Sequence, residues 1–111
     1  MPAGKLAPAN GTLPRYRLQE WLNLIGTELH KGGFSPLFNR ALPDEAKAVF
    51  RERLISRYQW VDTQLQGRNY LLGEQFSVAD AYLFTVTRWA AAVKLDIDGL
   101  ANLQAFQSRM M

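Results

Sequence analysis

The chain has no cysteine and a single histidine, His30, among its 111 residues. Without cysteine there can be no disulfides, thiolate metal sites or thiol nucleophiles within these residues, and no metal site is expected. Long hydrophobic runs are also missing. The longest apolar stretches, such as 82–84 and 90–93, fall far short of the ~20 residues that cross a bilayer. No charged start followed by an apolar stretch marks a signal peptide. A cytoplasmic protein with no membrane partner is the expectation. Net charge is low, at +3. The basic residues gather around Arg15–Arg17 and Arg51–Arg57, the latter at helical spacing with Glu45 and Glu52 nearby. That pattern suits a solvated helix face and offers no groove-sized patch to neutralise phosphates, so no nucleic-acid partner is expected. Strand-like alternation and internal repeats are absent too.

What remains is an apolar, helical sequence. Apolar residues make up 48% of it, enough for one folded domain with one core. Residues 1–11 are rich in Pro, Gly and Ala and read as a linker. A helical domain follows over 12–111. Thr12 is placed to cap a first helix, with Pro14 tolerated in its first turn. This helix is expected to run to about His30 and to end at Gly32-Gly33, before a loop or short continuation through Phe34–Phe38. A second begins near Pro43, with Asp44 and Glu45 at the positive end of the helix dipole. Its inward stripe is Ala46, Val49, Phe50, Leu54, Tyr58, Val61 and Leu65, and Gly67 stops it. Tyr70–Leu72 form a short buried connection. Ser77 and Asp80 make a capping box for a third, central helix running to about Val93. They are read as structural, not as a nucleophile and its base. A fourth helix runs from about Leu100, with Leu103, Phe106 and Met110 inward. The fold class is all-α, a helical bundle.

The segment Glu20–Asn39, EWLNLIGTELHKGGFSPLFN, stands out. Leu18, Trp21, Leu22, Ile25 and Leu29 recur at helical spacing as an apolar stripe. Asn23, Thr27 and His30 fall within about 60° of one another at ~100° per residue, nearly opposite that stripe. This polar face carries uncharged hydrogen-bonding groups and ends in an imidazole. It is a candidate ligand face. Equally, His30 and Lys31 suit the negative end of a helix with no ligand at all.

Glu20-Trp-Leu-Asn23, Thr27-Glu-Leu-His-Lys31 and Phe34-Ser-Pro-Leu-Phe38 resemble the C-terminal domain of bacterial beta-class glutathione transferases. The later run Tyr70-Leu-Leu-Gly-Glu-Gln-Phe-Ser-Val-Ala-Asp80-Ala-Tyr-Leu-Phe84, with Arg88-Trp89, is similar to the same family. Gly73 followed by the Ser-x-x-Asp box marks such domains in general; the Thr-Glu-Leu-His-Lys run points to the beta class. The resemblance covers about residues 5–110. It implies a helical bundle of the glutathione S-transferase C-terminal type. The double glycine is one residue longer than the family's usual turn. The family's N-terminal thioredoxin-like domain, with its characteristic cysteine, has no counterpart here. The chain is expected to start just past that domain and to stop before the family's last helical stretch.

The resemblance implies a glutathione site made by Asn23, Thr27, Glu28, Leu29, His30 and Lys31, with His30 as the catalytic candidate. An imidazole there can hydrogen-bond or carry a proton near neutral pH. It also implies an aromatic pocket for hydrophobic electrophiles from Phe34, Phe38, Tyr82 and Trp89, although aromatic residues at helical spacing equally suit core packing. Glutathione is the implied co-substrate and a homodimer the implied assembly. Two further readings stand beside the enzymatic one: a non-catalytic interaction or assembly module, and a fragment with no separate function.

Overall fold

The computed structural model describes residues 11–73 and 76–110. Of the linker-like stretch, residues 1–10 lie outside the described residues. Gly11 has a left-handed φ of 81°, which glycine adopts without strain. The helices are α1 (Leu13–Leu24), a π-helical segment (Ile25–Phe34), α2 (Ser35–Phe38), α3 (Asp44–Gln64), α4 (Val78–Thr87) and α5 (Ala101–Met110). A 3₁₀ turn, Arg88–Ala90, extends α4. Among the described residues the only β pairing is an isolated bridge between Tyr70 and Gly73. The expected all-α class holds.

Thr12 caps α1 as its position suggested. Its Oγ1 accepts from the Arg15 amide at 3.3 Å, and Pro14 lies in the first turn. The glycine pair departs from expectation. Gly32 and Gly33 do not end the first helix but sit inside the π segment, which passes directly into α2. Hydrogen bonds there span five residues, not four, so each turn is wider than an α turn. Buried positions step accordingly: Ile25, Leu29 and Phe34 are all fully enclosed. A Cβ at Gly32 would lie 2.5 Å from the Thr27 carbonyl oxygen, and one at Gly33 would lie 2.6 Å from Leu54 Cδ1. At these two positions glycine permits the π winding and the close approach of α3.

The π segment is the hub of the bundle, packing against α1, α2, α3 and α4. Along α3, Leu54, Tyr58, Val61 and Leu65 face inward as expected. Val49 does not; it is 61% exposed, while the adjacent Phe50 packs against the core. Leu103 and Phe106 bury α5 against the same mass, while Met110 is only partly covered. The end of the central helix also differs from the expected uniform helix to Val93. It tightens after Thr87 and closes with Leu95 N–H donating to Ala90 O (2.9 Å) and Lys94 N–H to Ala91 O (3.3 Å). With Lys94 at φ 56°, this is a Schellman ending whose cap residue is Val93.

The Ser77–Asp80 capping box forms, and Asp80 does more than the motif requires. Oδ2 accepts from the Ser77 amide (2.8 Å) and hydroxyl (3.1 Å), and Oδ1 accepts from the Leu71 amide (2.8 Å). The carboxylate therefore joins the Tyr70–Leu72 connection to the start of α4. Burial pushes its pKa above the ordinary carboxylate value, and the bonds from Leu71 and Ser77 pull it partly back. Phe76 packs edge-on against Tyr70, with centroids 5.8 Å apart.

Candidate functional site: an imidazole in an aromatic frame

Each wide turn holds more residues than an α turn, so His30 falls behind the register that ~100° per residue predicts. It leaves the exposed line of Asn23 and Thr27 and turns toward α4. There its Nδ1 lies 2.7 Å from the Tyr82 hydroxyl. The ring packs edge-on against Trp89 (5.2 Å between centroids) and Tyr82 (5.9 Å). Two groups of residues that the sequence places on different elements thus meet at one imidazole.

Trp89 organises the rest of the frame. Phe34 and Phe38 meet it edge-on at 5.7 and 6.0 Å. Phe34 also contacts Tyr58, at 6.1 Å. Of the four aromatic candidates, Phe34 is fully enclosed and is a core residue. Tyr82 and Trp89 are partly buried, and Phe38 is 48% exposed. A ligand could therefore touch Phe38, Tyr82 and Trp89, while Phe34 backs them. Beneath, the Tyr58 hydroxyl and Thr87 Oγ1 share a buried hydrogen bond of 2.9 Å. Burial drives the Tyr58 phenol well above its ordinary pKa, so it stays neutral.

The other candidates have different surroundings. Asn23, Thr27 and Lys31 are exposed, and the Thr27 hydroxyl donates back to the Asn23 carbonyl at 2.6 Å. Glu28 reaches across to α3 and pairs with Arg57 at 3.2 Å. Such an exposed pair contributes little stability but occupies the carboxylate. Leu29 is fully enclosed and directs its side chain into the core. The partnership of His30 with Tyr82 could not be read from helical spacing, because the change of winding that creates it begins at Ile25. Its one local trace is the glycine pair.

A groove of about 780 Å³ lies elsewhere, between α1, α3 and the Leu71–Leu72 connection. Trp21 and Trp60 stand in it with ring centroids 5.5 Å apart. It holds no histidine, and Glu20 within it pairs with Arg17. Size alone marks this groove, whereas the His30 frame brings a titratable group and hydrogen-bond donors together, so the latter is the better candidate for chemistry. No cluster of three or more metal-binding side chains occurs among the described residues. No described helix is long and apolar enough to cross a membrane.

The glutathione S-transferase C-terminal domain family matches residues 28–111. Glutathione S-transferase GstA of Escherichia coli O157:H7 is 50% identical over 105 residues, covering 95% of this chain and 51% of the relative. Glutathione S-transferase GST-4.5 of Xanthomonas campestris is 38% identical over 104 residues, covering 87% of the chain and 50% of the relative. Among solved structures, the ternary complex of BphK, a bacterial glutathione transferase, superposes with a TM-score of 0.91 at 54% identity. It covers 96% of this chain and 52% of that one. A sphingomonad glutathione S-transferase complexed with glutathione gives 0.90 at 42% identity, covering 98% and 54%. The chain thus spans about half the length of these relatives. Taken with the bundle and the Ser77–Asp80 box, these matches show that the chain belongs to the glutathione S-transferase family and corresponds to its C-terminal domain.

Proposed function

We propose that this domain forms one wall of a glutathione site, and that the electrophile-binding surface adjoins it at Phe38, Tyr82 and Trp89, backed by Phe34. One observation carries the reading: the only imidazole is held by Tyr82 and framed by Trp89, in a family whose sphingomonad relative is complexed with glutathione. Glutathione is anionic at its carboxylates and, when activated, at its sulfur. The polar line of Asn23, Thr27 and Lys31 offers it hydrogen bonds and a positive charge. The ring nitrogen His30 leaves unpaired suits the sulfur or a carboxylate. Glu28 and Leu29 serve the site through backbone and position, since their side chains are taken up by Arg57 and the core.

In the family activity, glutathione is joined to an electrophile. The domain's part is orientation and electrostatic support. The other wall in this family comes from a thioredoxin-like fold, which none of the described helices forms. The chain alone is therefore expected to bind glutathione weakly and to turn over little or nothing. Titration of ¹⁵N-labelled chain with glutathione tests this. Shifts should concentrate at Asn23, Thr27, His30 and Lys31 and disappear in His30→Ala. Shifts confined to the Trp21–Trp60 groove, or none at millimolar glutathione, reject the site. Saturable conjugation by the chain alone, lost in His30→Ala, contradicts the expected inactivity.

An assembly role has its own support. Leu13, Tyr16, Val49 and Trp60 on α1 and α3 are each 48–66% exposed. Exposed side chains of this size suit burial against a partner, and a second copy is the simplest occupant. Sedimentation equilibrium of the chain and of Trp60→Glu distinguishes a dimer through these side chains from a monomer.

A further inference from the structure

We propose that Tyr82 fixes the tautomer of His30, so that Nε2 carries the hydrogen and the imidazole meets its ligand as a donor, not as a base. The inference rests on the glutathione reading only for the identity of the ligand; the tautomer itself belongs to the free chain.

The argument starts from the 2.7 Å separation between His30 Nδ1 and the Tyr82 hydroxyl. Two polarities are possible: the phenol donates to a bare Nδ1, or an Nδ1–H donates to the phenol oxygen. In a neutral imidazole one ring nitrogen carries hydrogen and the other a lone pair. That lone pair is far more basic than a phenol oxygen. A phenol O–H is also a stronger hydrogen-bond donor than the N–H of a neutral imidazole. Donor and acceptor strengths match only when tyrosine donates. The surroundings agree. The Tyr82 hydroxyl lies under the π segment at Gly26, where an added Cβ would be 3.7 Å from it. Among the described residues it has no other hydrogen-bond partner. If it accepted from Nδ1–H, its own hydrogen would have no protein acceptor. A partly buried donor left unpaired in this way is disfavoured.

The consequence falls on Nε2. It has no partner among the described residues, and with Nδ1 bare it must hold the hydrogen. The edge-type contacts with Trp89 and Tyr82 hold the ring, and a flip that put the carbon Cδ2 in place of Nδ1 would break the bond to the phenol. A nitrogen bearing hydrogen cannot take a proton from a thiol. It can donate to a thiolate or a carboxylate. His30 would then stabilise glutathione already ionised by another group. Tyr82 acts through His30 and is a positioning residue.

Long-range ¹H–¹⁵N correlation spectra of the ¹⁵N-labelled chain test this, followed through the imidazole titration to its neutral limb. The expected result is a single neutral form with a pyridine-like Nδ1 and a pyrrole-like Nε2. Tyr82→Phe should let the neutral tautomers mix while leaving the melting temperature nearly unchanged. It should also weaken glutathione binding roughly three- to tenfold, the range for one lost hydrogen bond. A pyrrole-like Nδ1 in the parent chain overturns the proposal. So does an unaltered tautomer population in Tyr82→Phe. If the tautomer behaves as expected but glutathione perturbs none of Asn23, Thr27, His30 or Lys31, the tautomer assignment stands and the glutathione site is rejected.

Discussion

Asp80 is wholly enclosed, yet it answers two amides and a hydroxyl at 2.8–3.1 Å. Asp80→Ala leaves the Leu71 and Ser77 amides buried without acceptors, and each such group costs about 1–3 kcal/mol. Urea unfolding should show a loss in that range; an unchanged midpoint would remove Asp80 from its structural role. The pH dependence follows from the raised pKa. The folded chain holds this proton to higher pH than the unfolded chain does. Asp80 therefore contributes most below the ordinary value of 3.8, and the contribution is lost as pH rises through the raised folded value. Above that value it is flat. In Asp80→Asn this slope should vanish, so the stability gap between parent and variant should narrow as pH rises across that window. A gap that widens instead reverses the sign and contradicts the burial argument. The capping box itself was legible from Ser77 and Asp80 alone, because it depends on a fixed local spacing. The Leu71 amide was not, since nothing local to α4 brings a loop nine residues away onto the second carboxylate oxygen.

At the scale of elements, α1, α3, α4 and α5 were readable from their apolar stripes and caps. Local signals failed at 25–34. A Gly-Gly pair ordinarily reads as a stop, because free glycine prefers to leave a helix. Here a Cβ at Gly33 would crowd Leu54 Cδ1 and one at Gly32 the Thr27 carbonyl oxygen, and these close approaches outweigh the propensity. Gly32→Ala tests this. Alanine is favoured over glycine by about 1 kcal/mol in an ordinary helix. At Gly32 its Cβ would press on the Thr27 carbonyl, and backbone cannot swing aside. A net loss of about 1–3 kcal/mol is expected. Gly26→Ala is the comparison. Its nearest neighbour, the Tyr82 hydroxyl at 3.7 Å, is at ordinary contact distance, so that variant should be neutral or slightly stabilised. Equal gains at both positions would mean that the wide winding does not depend on Gly32. The candidate site shared this limit. Asn23, Thr27 and His30 were found as a polar line, and Phe38, Tyr82 and Trp89 as aromatic candidates. The contact of His30 with Tyr82 and Trp89 depends on a helical register that α-periodicity does not describe.

Over the whole molecule, the buried apolar residues form one contiguous cluster reaching from Leu18 to Phe106. A single core should unfold as a unit. The tryptophans can report on this, since Trp21 and Trp60 lie together in the groove while Trp89 stands beside His30. Single-tryptophan variants followed by fluorescence, alongside far-ultraviolet circular dichroism, should give coincident urea transitions. Separate midpoints would show that the His30 frame loosens independently of the groove. The π segment has a further consequence, which concerns chain length. An α-helix that gains a residue must rotate everything beyond it by about 100°, and buried side chains then face solvent. A wide turn takes up the extra residue locally. Trp21 before it and Leu37 after it both remain buried. Gly32 and Gly33 thus sit as slack inside a helix and not in a loop on the surface. Adding or removing one residue within 25–34 should therefore cost less stability than the same change in the middle of α3.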